Sequence, residues 1–246
     1  MSLTDDELDY YARHIVLPQI GGVGQNKLKA ASIALVGLGG IGAGALPALV
    51  GAGIGRLTLI DDDTVDLSNL QRQPLYRVED VGKAKTDLAQ AWAKSRNPHV
   101  EIDLKPTRLT EENAADLLAG HDLVLDGTDN FATRLLVSDT CVKLALPLVA
   151  AQSAQLHAQV GLFTAKPCYR CVVGDAFDAE DCDNCAELGA LGALVGMAGQ
   201  YGALLAIRHI VGLGLGDAGN LHWYDSLQGH WRSNAMPADP GCSACS

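Results

Sequence analysis

The chain has 246 residues and a mass of 25.8 kDa, enough for one large core or for a domain with an appendage. Its formal net charge is −11 and it carries no Lys/Arg block, which argues against a nucleic-acid or anionic-membrane partner. A hydrophobic share of 48% with 5% aromatic residues suits a compact α/β protein built on Ala, Val, Leu and Gly.

The opening Met1-Ser2-Leu3-Thr4-Asp5-Asp6-Glu7 is acidic and has no apolar core, so it is not a secretory leader, and a cytoplasmic location is expected. Thr4 to Glu7 forms a capping-box pattern that predicts a short helix to about Arg13, with a second over Gln25 to Ala31. Ser32 to Val36 reads as a buried strand, followed by a glycine turn and a helix to about Gly53. Arg56 to Ile60 is the next strand, then an acidic and amide-rich loop, then a helix over Lys83 to Arg96 closed by Asn97-Pro98. The alternation continues with strands over Val100 to Lys105, Asp122 to Asp126 and Leu148 to Ala151, and helices over Thr110 to Ala119 and Thr128 to Leu146. Such strand–helix repeats indicate a Rossmann-like, doubly wound, mainly parallel sheet. After Gln152 the rhythm changes: an added antiparallel strand over His157 to Thr164, a cysteine-rich loop, a glycine-rich helix over 188–212, and a closing pair, Leu221 to Asp225 and His230 to Ala235. One domain is expected over 1–246, with N-terminal helices in 1–31, a nucleotide-binding core in 32–151 and a cysteine-rich part in 152–246. The uncharged run Leu188 to Ile207 imitates a membrane span, but its glycines and Gln200 dilute it, and a buried helix is the better reading.

Gly37-Leu38-Gly39-Gly40-Ile41-Gly42 fits G-x-G-x-x-G between a strand and a helix, where the backbone can approach phosphate at a helix N-terminus. Asp61, at the end of the next strand, stands where a carboxylate binds ribose hydroxyls. The following run Leu67-Ser68-Asn69-Leu70-Gln71-Arg72-Gln73 separates the nucleotides. Arg72 and Lys85 are two cations beyond the ribose position, with Asn69 and Gln71 beside them, suited to neutralising a leaving polyphosphate. Asp129, at the end of a predicted strand, has two readings: a carboxylate for Mg²⁺ on the phosphates, or part of a helix cap with Thr128 and Asn130.

Six of the seven cysteines form three Cys-x-x-Cys pairs, Cys168/Cys171, Cys182/Cys185 and Cys242/Cys245. Four thiolates close a tetrahedral structural zinc site, but spacing leaves open which two pairs share it. The histidines are scattered without metal spacing and are assigned no role.

Together, the glycine loop, Asp61, the run from Leu67 to Gln73, Lys85, Thr128-Asp129-Asn130, Arg13-His14-Ile15 and the last Cys-x-x-Cys resemble the ThiF/MoeB/HesA family, relatives of the ubiquitin-activating enzymes. The resemblance covers nearly the whole chain. It implies ATP-dependent adenylation of the C-terminal Gly-Gly carboxylate of a ubiquitin-like sulfur carrier, ThiS- or MoaD-like, for thiamine or molybdenum-cofactor synthesis. It implies a nucleotide site of Gly40, Asp61, Asn69, Arg72, Lys85 and Asp129, and Gly37, Gly39, Gly42, Gln73 and Asn130 of the same motifs are further candidates to bind the nucleotide. In that site Asp61 holds the ribose, Arg72 and Lys85 the phosphates, and Asp129 supports Mg²⁺. It further implies a homodimer in which Arg13 reaches the other subunit's site, and a covalent role for Cys185. Zinc is expected on Cys168, Cys171, Cys242 and Cys245. No rhodanese domain follows the last cysteine pair, so a separate sulfur donor, a cysteine desulfurase or a rhodanese, is expected. The alternatives are an NAD-dependent oxidoreductase, on the glycine loop and Asp61 alone, and a non-catalytic scaffold for a ubiquitin-fold partner.

Overall fold

A computed structural model describes residues 2–174, 189–214 and 216–246. The elements run α1 (Asp5–Tyr10), α2 (Ala12–Ile15), α3 (Gly21–Ala30), β1 (Ser32–Val36), α4 (Gly40–Ala52) and β2 (Arg56–Ile60). They continue with α5 (Lys85–Arg96), β3 (Glu101–Lys105), α6 (Ala114–Leu118), β4 (Leu123–Asp126), α7 (Phe131–Lys143) and β5 (Leu148–Ala154). The last are β6 (His157–Phe163), α8 (Tyr169–Val173), α9 (Gly192–Val211), β7 (Asn220–Asp225) and β8 (His230–Ala235). They form one eight-stranded sheet in the order β3-β2-β1-β4-β5-β6-β7-β8. The first five strands pair parallel and the last three antiparallel, as the sequence pattern indicates. Every residue of β1 and β4 is buried, which is why these strands read as continuous apolar runs.

Departures from the sequence expectation have local causes. The capping box is present: Thr4 Oγ1 accepts from the Glu7 amide at 3.3 Å and Glu7 Oε2 from the Thr4 amide at 2.8 Å. Glu7 also pairs with Lys29 at 2.6 Å, tying α1 to α3. The single helix expected to Arg13 breaks at Tyr11, whose buried ring lies under Gly53 and whose hydroxyl accepts from Asn97 Nδ2 at 2.8 Å. The next helix begins at Gly21 rather than Gln25. α6 is shorter than expected because Asn113 turns the preceding segment into a bonded loop, accepting from the Thr110 amide at 2.8 Å and donating to the Arg108 carbonyl at 2.9 Å. α7 starts at Phe131, not Thr128, because Asn130 is its cap and accepts from the Thr133 amide at 2.9 Å. Within the expected cysteine-rich loop, α8 makes one helical turn after Cys168.

α9 is long and apolar enough to cross a membrane by length and composition, yet it packs inside the fold against α4, β5 and β6. Its glycines serve that packing. A Cβ on Gly44 of α4 would lie 2.8 Å from the Gly196 carbonyl oxygen, and one on Gly199 would overlap the Ile41 carbonyl oxygen. The two helices therefore meet backbone to backbone, as small residues permit. Gly199→Ala is expected to cost about 1–3 kcal/mol in urea unfolding, from overpacking. Gly51→Ala, in α4 and facing open space, should by contrast stabilise by about 0.4–1 kcal/mol.

Candidate functional site

The strand order reverses between β1 and β4, and a cleft of about 660 Å³ opens at the carboxyl ends of the strands there. The glycine loop forms one wall. Gly37 has φ +85° and packs against Gly127, where a Cβ would lie 3.2 Å from the Gly127 carbonyl carbon. Gly39 faces the cleft, whereas Gly42 does not line it: its missing Cβ lets α4 close on the Gly37 carbonyl. The loop is pinned through Leu38, whose amide donates to Asp61 Oδ2 at 2.6 Å and whose carbonyl accepts from the buried Tyr76 hydroxyl at 2.9 Å. Burial pushes the Asp61 carboxyl above the usual range, opposed by the Leu38 amide and by Lys85.

Of the other nucleotide-site candidates, Asn69, Arg72, Gln73, Lys85, Asp129 and Asn130 all line this cleft with Gly37, Gly39, Gly40 and Asp61. Arg72 Nη1 donates to the Ser68 carbonyl at 3.0 Å, which folds the guanidinium back along its own turn. That turn is built by Asp66, which accepts from the Ser68 amide at 2.7 Å, and by Asn69 Oδ1, which accepts from the Asp66 amide at 3.2 Å. Lys85, only 4% exposed, pairs at 2.8 Å with Asp63, which is 68% exposed. Gln73 is 3% exposed, and its Oε1 has no hydrogen-bond partner among the described residues. A buried acceptor of this kind costs stability unless a ligand or water meets it.

The two readings of Thr128-Asp129-Asn130 divide between the residues. Asn130 caps α7, Thr128 is held by the buried Asp126 through its amide at 2.9 Å and its hydroxyl at 2.8 Å, and Asp129 is left exposed on the cleft. Two further groups, not singled out from the sequence, complete that wall. Arg134 Nε donates to the Thr128 carbonyl at 2.8 Å and its guanidinium bonds Gln152, while Gln152 Nε2 donates to Gln159 Oε1 at 2.5 Å. Arg134 lies four residues after Asn130, on the first turn of α7. A helix-face reading from that cap would have found it.

Arg13 is exposed on α2 and is not among the residues lining the cleft of its own chain. Cys182 and Cys185 lie outside the described residues. Cys168, Cys171, Cys242 and Cys245 converge, their Sγ atoms all within 4.8 Å of one another. The closest pairs are Cys171–Cys245 at 3.4 Å, Cys168–Cys242 at 3.6 Å and Cys168–Cys171 at 3.8 Å. Tetrahedral Zn–S bonds of about 2.3 Å would separate sulfurs by about 3.8 Å, so this donor set fits such an ion. The knuckle is anchored to α7 by Arg170, which meets Asp139 at 3.0 and 2.6 Å.

The ThiF family profile matches residues 11–244. A sulfur carrier protein adenylyltransferase of Thermus thermophilus is 41% identical, over 100% of this chain and 93% of that protein. An adenylyltransferase and sulfurtransferase MOCS3 of Anopheles gambiae is also 41% identical, over 99% of this chain but 56% of that protein, so the chain spans little more than half of that relative. Among solved structures, E. coli MccB with ATP superposes with a TM-score of 0.80 at 25% identity, over 91% of this chain and 68% of that one. With its cleft at the sheet's switch point and its cysteine knuckle, this chain belongs to the ThiF family and is an enzyme of the nucleotidyltransferase kind.

Proposed function

We propose that the protein adenylates the C-terminal carboxylate of a ubiquitin-like sulfur carrier, using ATP in the cleft between β1 and β4. The observation that carries this reading is the shared wall of the glycine loop, Arg72, Lys85 and Asp129 around one cleft, in a chain so similar to a sulfur carrier protein adenylyltransferase. A carboxylate oxygen of the carrier attacks the α-phosphorus, the bond from the α-phosphorus to the bridging oxygen breaks, and pyrophosphate leaves with that oxygen. Lys85 and Arg72 offset the charge that grows on the leaving group. Asp61 holds the ribose, while Asn69, Gln73 and Asn130 border the phosphates. Asp129 is the carboxylate that would hold Mg²⁺, which supplies further neutralisation of the phosphates when bound. Arg134 and Gln152 frame the side by which the carrier's tail enters.

The protein works, in this reading, as a cytoplasmic homodimer in which Arg13 of one subunit serves the site of the other. Its exposure on α2, away from its own cleft, is compatible with that part. Zinc on the four converging cysteines is structural, and a separate desulfurase or rhodanese delivers the sulfur. The carrier is ThiS-like or MoaD-like, serving thiamine or molybdenum-cofactor synthesis. The role of Cys185, covalent attachment of the activated carrier, rests on the family resemblance alone.

Carrier-dependent ATP–pyrophosphate exchange is the direct test. Arg72→Ala and Asp129→Ala should each lower it by at least about a hundredfold. Absence of exchange with both a ThiS and a MoaD partner would overturn the reading. Mass spectrometry of enzyme, carrier and ATP should reveal a covalent adduct that disappears in Cys185→Ser; an adduct that persists assigns the link elsewhere. Elemental analysis should find about one zinc per chain, and its removal by a chelator should lower the melting temperature.

A further inference from the structure

Among the described residues four cations line the cleft, and three are engaged within the chain: Lys85 with Asp63, Arg72 with the Ser68 carbonyl, and Arg134 with the Thr128 carbonyl and Gln152. The fourth, Arg108, is exposed, and no hydrogen bond or ion pair among the described residues involves its guanidinium. Its backbone, by contrast, is fixed. The Arg108 carbonyl accepts from Asn113 Nδ2 at 2.9 Å and from Thr107 Oγ1 at 3.4 Å. The next residue, Leu109, is buried in a core cluster with Val36 and Ile60. A free guanidinium on a loop held this firmly is placed for a ligand.

Strand order says which part of the ligand. The glycine loop follows β1, Asp61 follows β2, and Arg108 follows β3, and these strands are adjacent in the order β3-β2-β1. A nucleotide with phosphates at the glycine loop and ribose at Asp61 lays its base one strand further, over the end of β3. There Ile60 and Leu109 supply apolar lining, while Lys85, Arg72 and Arg134 all belong to the β2, β1 and β4 parts of the cleft. We propose that Arg108 stacks its guanidinium on the adenine base, making it a specificity-determining residue for the nucleotide. The planar guanidinium suits an aromatic face in a way that the compact ammonium of lysine does not. The proposal rests on the reading of the cleft as an ATP site.

The test compares equilibrium binding of ATP and of inorganic tripolyphosphate, which lacks the base, to the full chain and to Arg108→Ala and Arg108→Lys. Stacking predicts that Arg108→Ala raises the Kd for ATP about 5- to 30-fold and leaves tripolyphosphate within twofold. Arg108→Lys should recover only part of the loss. Unchanged ATP binding in Arg108→Ala overturns the assignment, as does an equal loss for tripolyphosphate, which would make Arg108 a phosphate ligand. Full recovery in Arg108→Lys also overturns it, since charge alone would then suffice. Failure of the unsubstituted chain to bind ATP overturns the ATP-site reading itself, and the assignment with it. A melting curve for each variant separates a lost contact from a lost fold.

Discussion

The closeness of α9 to the nucleotide loop and to α4 is the constraint on which the rest of the site depends. A Cβ at Gly192 would overlap the Gln71 carbonyl oxygen, and one at Gly40 would overlap the Val195 side chain. α9 therefore lies directly on the turn that carries Arg72 and on the first residue of α4, drawing one side of the cleft shut. Apolar burial alone would not fix this distance, because larger side chains would bury more area while holding the helices apart. The absence of side chains at Gly44 and Gly199 lets two backbones meet, and the glycine loop inherits its position from that contact.

Around this frame Asp61, Lys85, Arg72 and Arg134 are held in place before any ligand arrives. Leu38 is gripped at both backbone groups, by Asp61 and by Tyr76, so the glycine loop has little freedom to reorganise. Lys85 is buried but paired with an exposed partner, Asp63, which a more negatively charged ligand can replace without leaving a bare carboxylate in the interior. Arg72 and Arg134 each donate to a backbone carbonyl and keep donors to spare. Sites arranged like this act by preorganisation: the cost of orienting the groups falls on folding rather than on catalysis.

Much of this was legible in the residues. β1, β2 and β8 begin and end where the pattern of apolar and turn residues places them, because buried parallel strands and a simple hairpin leave strong local signals. The place of the glycine loop and Asp61 on the cleft was legible for a different reason, since they follow the ends of β1 and β2, and Arg72 and Lys85 come on the segment from β2 to the start of α5. What escaped depended on contacts that residue type alone does not specify, some of them between residues far apart in the chain and some between close neighbours. The break at Tyr11 needs Asn97 and Gly53, and the place of Gly42 beneath the loop rather than on the cleft needs the Gly37 carbonyl. Arg134 and Gln152 meet only because α7 packs against β5. Thr128, Asp129 and Asn130 are equally good caps by type, and only the bonds made by Asp126 and Thr133 decide which one is left for the cleft.

The cysteine cluster joins two parts of the chain that lie far apart in sequence, Cys168/Cys171 after β6 and Cys242/Cys245 near the end. Between these anchor points run α9, β7 and β8. Once the four sulfurs are bridged, that entire stretch becomes a closed loop, and the ensemble open to it when unfolded shrinks. The helix that shuts the cleft can then loosen only as a segment tethered at both ends, so a knuckle at the far side of the sheet sets how readily the wall behind Arg72 comes apart.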